Sequence, residues 1–233
     1  LFEVSLPRHK DEHSAKDIQH IFSAMEQFYA GMATIGRGKY PRHYTIVIAV
    51  SDKRDDIILY VAVPNEFVNL FEKQALSLFP NAVLHMLQND YNIFVDGGVS
   101  HIALGTVSKH PIYPLKMHDE FQADPLSVLL NAFSKIERDG GGAAIQFVIG
   151  GGSSDYQHTY ESIIKRLEKG ESKEVAIRKS TLAGSLFEEV KSIVSASHTE
   201  EKEKPKEVET QLVELFRKKI ETPIHRTNVR IAV

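Results

Sequence analysis

The fold is decided in the middle of the chain, where residues 112–149 read IYPLKMHDEFQADPLSVLLNAFSKIERDGGGAAIQFVI. Asp124 followed by Pro125 predicts a helix start, because an aspartate oxygen caps free N–H groups and proline suits the first turn. Four apolar residues then recur at helical spacing and form one face: Leu126, Leu129, Leu130 and Phe133. The glycines that follow end this helix, and residues 143–149 are apolar enough for a buried strand. With a first strand that begins at Ile112, the stretch predicts a β-α-β crossover.

Upstream of this stretch, apolar periodicity predicts four strands and two helices in the order β-α-β-β-α-β. The predicted strands are residues 1–6, 44–50, 57–63 and 82–87, and the predicted helices are residues 14–33 and 64–79. Two β-α-β units with a hairpin between them predict a ferredoxin-like antiparallel sheet with both helices on one face. Residues 93–95 and 99–107 predict an added hairpin around Gly97 and Gly98.

Downstream, the pattern predicts a second βαβ-type unit whose strand count is incomplete. A helical insertion is predicted at about 154–221, with helices at 155–167, 174–194 and 208–220, before a closing strand at 227–233. The apolar stripes of these helices either pack together as a helix hairpin or form a projecting arm that meets another subunit. The chain is therefore predicted to be α+β, with a ferredoxin-like unit at 1–109 and a second unit at 110–233.

Composition narrows the classes of function. The chain has 233 residues, 42% of them hydrophobic and 25% charged, which is ordinary for a globular protein. A net charge of -3 argues against a dedicated nucleic-acid binder. The absence of cysteine excludes disulfides, thiolate metal sites and a cysteine nucleophile. No apolar run approaches the roughly 20 residues that span a bilayer. Because the chain starts at Leu1 and stops within the apolar alternation that ends at Val233, we expect it to be one piece of a longer protein.

Two glycine-rich segments superficially resemble phosphate-binding loops. A P-loop needs G-x-x-x-x-G-K-[ST], so that backbone N–H groups surround the phosphates and lysine reaches the terminal ones. Residues 150–154, GGGSS, follow a strand and precede a helix, but they lack lysine and are followed by Asp155. Residues 36–39, GRGK, contain a lysine but continue into Tyr40 and Pro41. Both segments are therefore interpreted as turns, and no cofactor-binding residue is predicted.

The histidines and loop acids do not form a catalytic pattern either. His9 and His13 are four residues apart, but they lack the glutamate of the zinc-protease motif. His110 and His118 flank a proline-containing segment. Three acids that lie close in sequence are explained by a helix cap and a solvated loop: Asp119, Glu120 and Asp124. With no G-x-S-x-G elbow either, the sequence predicts no catalytic residue and no metal ligand.

Several stretches, taken together and in order, resemble a known family. They are 60–64 (YVAVP), 72–82 (EKQALSLFPNA), 90–94 (DYNIF), 113–116 (YPLK), 121–126 (FQADPL), 131–136 (NAFSKI) and 143–149 (AAIQFVI). This set resembles the N-terminal, non-motor region of the conjugation-type ATPases of type IV secretion machines (VirB/Tra-type). The version in ultrasmall candidate-phylum bacteria, which precedes a HerA/FtsK-like motor, is the most similar. One departure is the glycine run at 150–152, where the family has a proline-containing turn.

The resemblance implies a non-catalytic assembly or docking domain at the cytoplasmic face of the membrane, with the nucleotide chemistry outside these residues. It implies no cofactor and no small-molecule substrate. The implied partners are other secretion-machine subunits or the parent ATPase motor, with homo-oligomerisation through the parent protein.

A different class of function is the alternative, a stand-alone ferredoxin-like module that binds nucleic acid. Sheets of this kind bind single strands through exposed aromatic residues with basic flanks. Tyr44 and Tyr60 are the candidates for such aromatics, near a set of basic residues: Arg37, Lys39, Arg42, Lys53 and Arg54. The aromatic-glycine pattern of RNA-recognition strands is missing, which disfavours this alternative. An enzyme with a novel site is the third reading.

Overall fold

The computed structural model describes residues 1–6, 15–36, 42–50, 56–94, 96–116, 125–136, 141–151, 154–182 and 206–233. The protein is α+β. Its strands are β1 (Phe2–Ser5), β2 (His43–Val50), β3 (Ile58–Ala62), β4 (Val83–Met86), β5 (Ile102–Gly105), β6 (Ala143–Gly151) and β7 (His225–Ala232). Its helices are α1 (Ala15–Met32), α2 (Val68–Leu78), α3 (Pro125–Phe133), α4 (Ser154–Glu168), α5 (Lys173–Leu182) and α6 (Lys206–Ile220), and 3₁₀ turns occupy Ala33–Gly36 and Asn65–Phe67.

The strands form one seven-stranded sheet in the order β4-β1-β3-β2-β6-β7-β5. Every neighbouring pair is antiparallel. The first four strands and α1 and α2 follow the predicted β-α-β-β-α-β order, and the spatial order β4-β1-β3-β2 is the ferredoxin-like one. The predicted fold class is therefore confirmed.

One face of the sheet is covered by α1 and α2. The strands alternate so that Phe2, Tyr44 and Val61 point to this face, as the period-two geometry of a strand requires. They pack against Phe28 and Met32 of α1. They also pack against Phe71 and Ala75 of α2. Farther along the same face, Phe133 of α3 packs against Val50, Ala143 and Ile145.

The opposite face is covered by a segment without regular structure, residues 87–94. Ile93 is buried against Val47, Ala49 and Ala144 of the sheet, and the Tyr91 ring stacks on Tyr60 with a centroid distance of 5.0 Å. The side-chain amide of Gln146 in β6 donates a hydrogen bond to the Tyr91 hydroxyl. The central strands are therefore buried on both faces, which explains why residues 143–149 are almost continuously apolar.

Two predicted local elements are wrong. Residues 102–105 do not form a hairpin with residues 93–94; they pair with β7 instead, while Ile93 packs over the sheet. Ile112 does not begin a strand: it is fully buried, but it lies in a turn in which its N–H donates to His110 Nδ1 at 3.2 Å. Because a buried apolar residue does not require an extended backbone, its burial was mistaken for strand structure.

The chain divides into two compact units with boundaries that differ from the predicted 1–109 and 110–233. Unit 1 comprises Leu1–Thr106, Phe121–Gly151 and His225–Val233, and unit 2 comprises Val107–Glu120 and Gly152–Ile224. The division differs because β6 and β7 do not start a second sheet. They pair with β2 and with each other, and so extend the ferredoxin-like sheet.

Unit 2 is helical and has its own core. The described helices α4, α5 and α6 lie within the predicted insertion at 154–221. Its core consists of fully or nearly fully buried residues: Ile112, Tyr160, Ile163, Ile164, Leu167, Ala176 and Phe216. Glu171 accepts hydrogen bonds from Arg166 at 3.1 Å and from Lys179 at 3.1 Å, and these two cations lower the pKa of its carboxyl group.

Several predictions fall wholly or partly outside the described residues. They concern Ser14 and Asp124 as helix caps, the part of the 174–194 helix beyond Leu182, and the solvated link at 198–205. Within the part of the chain that the structure describes, no helix is long and apolar enough to cross a membrane.

Candidate functional site

The outermost strand beyond β7 is the most exposed part of the sheet. We define the β5 edge as residues 99–106, which contain β5 and read VSHIALGT. β5 stands last in the strand order, and no described strand pairs with its outer side. All four of its residues are exposed, unlike those of the central strands. The β5 edge is therefore the candidate site.

The hydrogen-bond ladder between β5 and β7 determines which backbone groups face outward. His101 and Val233 exchange both backbone bonds, at 2.8 and 3.0 Å. In an antiparallel ladder such pairs alternate with pairs that make no mutual bonds. Ala103 and Gly105 therefore also bond to β7, and the N–H and C=O groups of Ile102 and Leu104 point to the outer side.

The β5 edge is apolar and exposed at the same time. The exposed fractions are 84% for Val99, 70% for Ile102 and 63% for Leu104. Natural edge strands are commonly protected by proline, lysine or inward-pointing charges, and the β5 edge contains no proline, lysine, arginine or acid. Clustered exposed apolar side chains of this kind are typical of interaction surfaces.

The strand behind the edge makes this surface basic. Arg226, Asn228 and Arg230 of β7 are exposed and alternate along the strand, so they share one face of the sheet. That face is also the one to which Ile102 and Leu104 point, because Leu104 is paired with Arg230. Neither β7 nor the β5 edge contains an acidic residue, although the whole chain has a net charge of -3. The candidate site therefore combines apolar side chains with local positive charge.

The two tyrosines considered for nucleic-acid stacking are not exposed, which corrects that expectation. Tyr44 is 1% exposed and Tyr60 is 8% exposed. Tyr44 points toward the helices, and Tyr60 points to the other face but is covered by Tyr91. Among the basic residues expected nearby, Arg42 pairs with Glu66 at 3.0 Å, and the other four lie outside the described residues.

The hydroxyl of Tyr44 provides a first prediction. This group is buried and has no hydrogen-bond partner within the described ranges, and burial raises its pKa. Since an unsatisfied buried polar group costs about 1 kcal/mol or more, we expect Tyr44→Phe to raise the free energy of unfolding by about 1 kcal/mol in urea denaturation. Tyr91→Phe is the matched control, because it removes the hydroxyl that accepts from Gln146. A clear loss of stability in Tyr44→Phe would show that the hydroxyl has a partner.

The remaining sequence candidates are not brought together. Of the two glycine-rich segments, Gly36 ends a 3₁₀ turn and Gly150 and Gly151 end β6. Ser154 begins α4. Residues 37–39 and 152–153, together with His9, His13, His118 and the acids 119, 120 and 124, lie outside the described residues. Across the described ranges there is no group of three or more histidines and acids that could hold a metal ion.

His110 is the histidine with the most distinctive environment, in the core of unit 2. Its ring contacts Tyr160 edge-on with a centroid distance of 6.3 Å, and its Nδ1 accepts from the Ile112 N–H. Lys219 donates to the carbonyl oxygens of Pro111 and Tyr113. Burial and the Lys219 charge together lower the pKa of His110 to about 4. The imidazole is therefore a neutral structural group near pH 7.

This lowered pKa predicts how stability depends on pH. Between about pH 6.5 and pH 4 the unfolded chain binds a proton at His110 and the folded chain does not. The free energy of unfolding therefore has its full value near pH 7 and decreases as the pH is lowered toward 4. Allowing for partial exposure, the loss is about 2 kcal/mol. We expect His110→Asn, whose amide oxygen can replace Nδ1 as acceptor, to flatten the pH dependence of urea unfolding. A smaller pH dependence should remain in this variant, because burial also lowers the pKa of His225. If His110→Asn had the same pH dependence as the unmodified chain, the role given to His110 would be contradicted.

The β5 edge was not identified from the sequence. Residues 99–107 were predicted as one arm of a hairpin, and residues 102–105 of this range do form a strand. An edge strand is defined by its partners, however, and its partner β7 lies near the other end of the chain. The one local signal was the lack of any charged residue or proline in 99–107, and this signal equally fits a buried strand.

Comparison with known proteins adds no relative. No family model matches the chain, and no curated protein or solved structure matches it either.

Proposed function

We propose that this chain is a non-catalytic assembly domain of a conjugation-type ATPase of a type IV secretion machine, and that it acts at the cytoplasmic face of the membrane. The observation that carries the proposal is the β5 edge, an exposed apolar strand whose outer side is paired with no strand of the described ranges. The resemblance of the ordered sequence stretches supplies the type of machine. The partners are other subunits of that machine or the motor of the parent protein.

The β5 edge supports assembly because its side chains and backbone favour contact with protein. Three large apolar side chains in its eight residues are exposed to water, and covering them stabilises a complex by roughly 25 cal/mol per Å². The outward N–H and C=O groups of Ile102 and Leu104 add specific hydrogen bonds to such a contact. A strand in this condition is also prone to unspecific aggregation, so a regular partner that covers it has a further advantage.

A nucleic-acid-binding module is the second candidate, favoured by the exposed arginines of β7. Arg226 and Arg230 stand on one face of the sheet without an acid on the same strand. Single-strand binding usually also needs exposed aromatic rings, and Tyr44 and Tyr60 are buried. The balance of apolar and basic exposure therefore favours a protein partner.

Photo-crosslinking in cells that carry the native gene tests the proposed function. Benzoylphenylalanine replaces Ile102 in the full-length parent protein, and mass spectrometry identifies what becomes attached after irradiation. We expect a subunit of the secretion machine or the motor of the parent ATPase. Attachment only to nucleic acid, or saturable binding of ATP–Mg²⁺ by the purified chain, would contradict the proposal.

The matched control uses the other edge of the same sheet. Val83 of β4 is 64% exposed, similar to Ile102 at 70%. β4 is the opposite end strand of the sheet. Benzoylphenylalanine at position 83 has the same reactivity and a similar exposure, but it lies at the edge that is not proposed to bind the partner. We therefore expect it to give little of the same product. Equal yields from both positions would mean that the β5 edge is not the specific contact.

A further inference from the structure

The backbone of the β5 edge is arranged to accept another strand. Ile102 and Leu104 direct their N–H and C=O groups outward, and Ala103 and Gly105 use theirs for β7. An extended segment placed alongside can therefore form a regular ladder with no change in the existing sheet. Since the sheet has seven strands, such a segment would become the eighth.

The helix-facing side of the β5 edge carries small residues. Ala103 and Gly105 point to this side, opposite Ile231 and Val229 of β7, which are partly exposed. A Cβ atom at Gly105 would lie 3.1 Å from the Cβ of Val229, so a larger residue is hindered there. Small residues on β5 leave apolar surface of β7 uncovered beside it. Bulky apolar side chains of an incoming strand would cover this surface.

The other side of the β5 edge favours a different kind of side chain. Ile102 and Leu104 point there, and Arg230 of β7 lies behind Leu104. Arg230 donates to Asn228 at 3.0 Å. A glutamate on the added strand would lay its aliphatic stem over Leu104 and extend its carboxylate toward Arg230. Adjacent residues of a strand point to opposite sides, so the two requirements alternate along the partner.

We propose that the β5 edge binds an extended segment of a partner protein as an added β-strand, and that this segment alternates bulky apolar residues with acidic ones. This inference rests on the proposed assembly function and names the chemistry of its partner. Charge decides against a second copy of this chain as the occupant. Two β5 edges side by side would bring together strands β5 and β7 of two copies, and these strands contain arginines and no acid, whereas an acidic strand complements them.

A binding titration with synthetic peptides tests the partner chemistry. The probes are fluorescent peptides of about eight residues, within the usual length range of a strand. The first alternates valine with glutamate and the second alternates valine with lysine. The third is the valine–glutamate peptide with its central residue replaced by proline. Fluorescence anisotropy is measured with the purified chain. We expect the valine–glutamate peptide to bind, with an affinity that falls as salt rises, and the other two to bind about tenfold more weakly or less.

Two substitutions locate the site on the β5 edge. Leu104→Pro removes an outward N–H and keeps the bonds to β7, so we expect binding of the acidic peptide to weaken about tenfold while the melting temperature changes little. Arg230→Glu should weaken that peptide about fivefold and strengthen the lysine peptide. Met86→Pro on β4 is the matched control, because Met86 is also exposed and its N–H also points away from the neighbouring strand. It should leave both affinities unchanged. Should Leu104→Pro unfold the chain, the charge reversal at Arg230 still decides the question.

The possible outcomes separate this inference from the function on which it rests. Equal affinity for both charged peptides, no binding of either, or dimerisation of the chain that Leu104→Pro abolishes would overturn the acidic strand as the occupant. Salt-dependent binding of single-stranded DNA that Arg230→Glu abolishes would overturn it as well. In the first three outcomes, the crosslink from position 102 to a secretion subunit can still be present. The assembly function then stands, and only the partner chemistry is wrong.

Discussion

Replacing Gly142 by alanine is expected to lower the free energy of unfolding by about 3 kcal/mol. A Cβ atom at this position would lie 2.1 Å from the carbonyl oxygen of Ile93 and 2.9 Å from its carbonyl carbon. These are backbone atoms, and Ile93 itself is buried against the sheet. No rotation of a side chain can relieve the overlap, so the covering segment 87–94 must move away from the sheet.

The loss in Gly142→Ala should be accompanied by a change around Tyr91. If residues 87–94 move, the stacking of Tyr91 on Tyr60 and the hydrogen bond from Gln146 are weakened, and near-UV circular dichroism should report the change. Gly150→Ala is the matched control in the region of β6, because its Cβ would meet the nearest atom, the Arg42 carbonyl oxygen, at 3.6 Å. Equal stability of the two variants in urea would contradict the described packing of residues 87–94.

Phe71→Ala is expected to have the largest effect of any substitution discussed, about 4 kcal/mol. Phe71 is 1% exposed on the inner side of α2 and lies at the centre of an aromatic cluster. Its ring centroid is 5.0 Å from that of Phe2 in β1 and 6.2 Å from that of Phe28 in α1. The truncation removes the aromatic contacts through which α2 packs on β1 and α1, and it leaves a cavity that the rigid neighbours cannot fill.

The measurement for Phe71→Ala is urea unfolding followed by far-UV circular dichroism. Leu76→Ala on the same helix is the control, because Leu76 is 44% exposed and should change stability by less than about 1 kcal/mol. A similar loss in both variants would mean that α2 packs on the sheet through a different face from the one described.

The ferredoxin-like half of the fold was predictable because its information is local. Each strand and helix from β1 to β4 has its own apolar period, and the run of polar residues between β2 and β3 predicts a hairpin. The pairing partners of β6 and β7 could not be predicted in the same way. Their apolar pattern requires burial, but it does not specify whether they build a second sheet or extend the first one along β2.

The same limit explains why the candidate site was missed. Leu104 in the exposed edge and Ile145 in the buried centre are both apolar residues of a strand, and the difference between them lies in long-range pairing. Tyr60 illustrates the opposite error. It does point away from the helices, as expected for a stacking residue, but Tyr91 from a segment without regular structure covers it. Local periodicity predicts the direction of a side chain and cannot predict what lies above it.

Amide hydrogen exchange along β5 is the most direct test of the central claim, that this edge binds a partner strand. In the free chain, we expect the amides of Ala103 and Gly105, which bond to β7, to be protected, and those of Ile102 and Leu104 to exchange quickly. With the valine–glutamate peptide at saturation, residue-resolved NMR should show Ile102 and Leu104 becoming protected as well. The account would be contradicted if these two amides were already protected in the free monomer, or if they stayed unprotected at saturation.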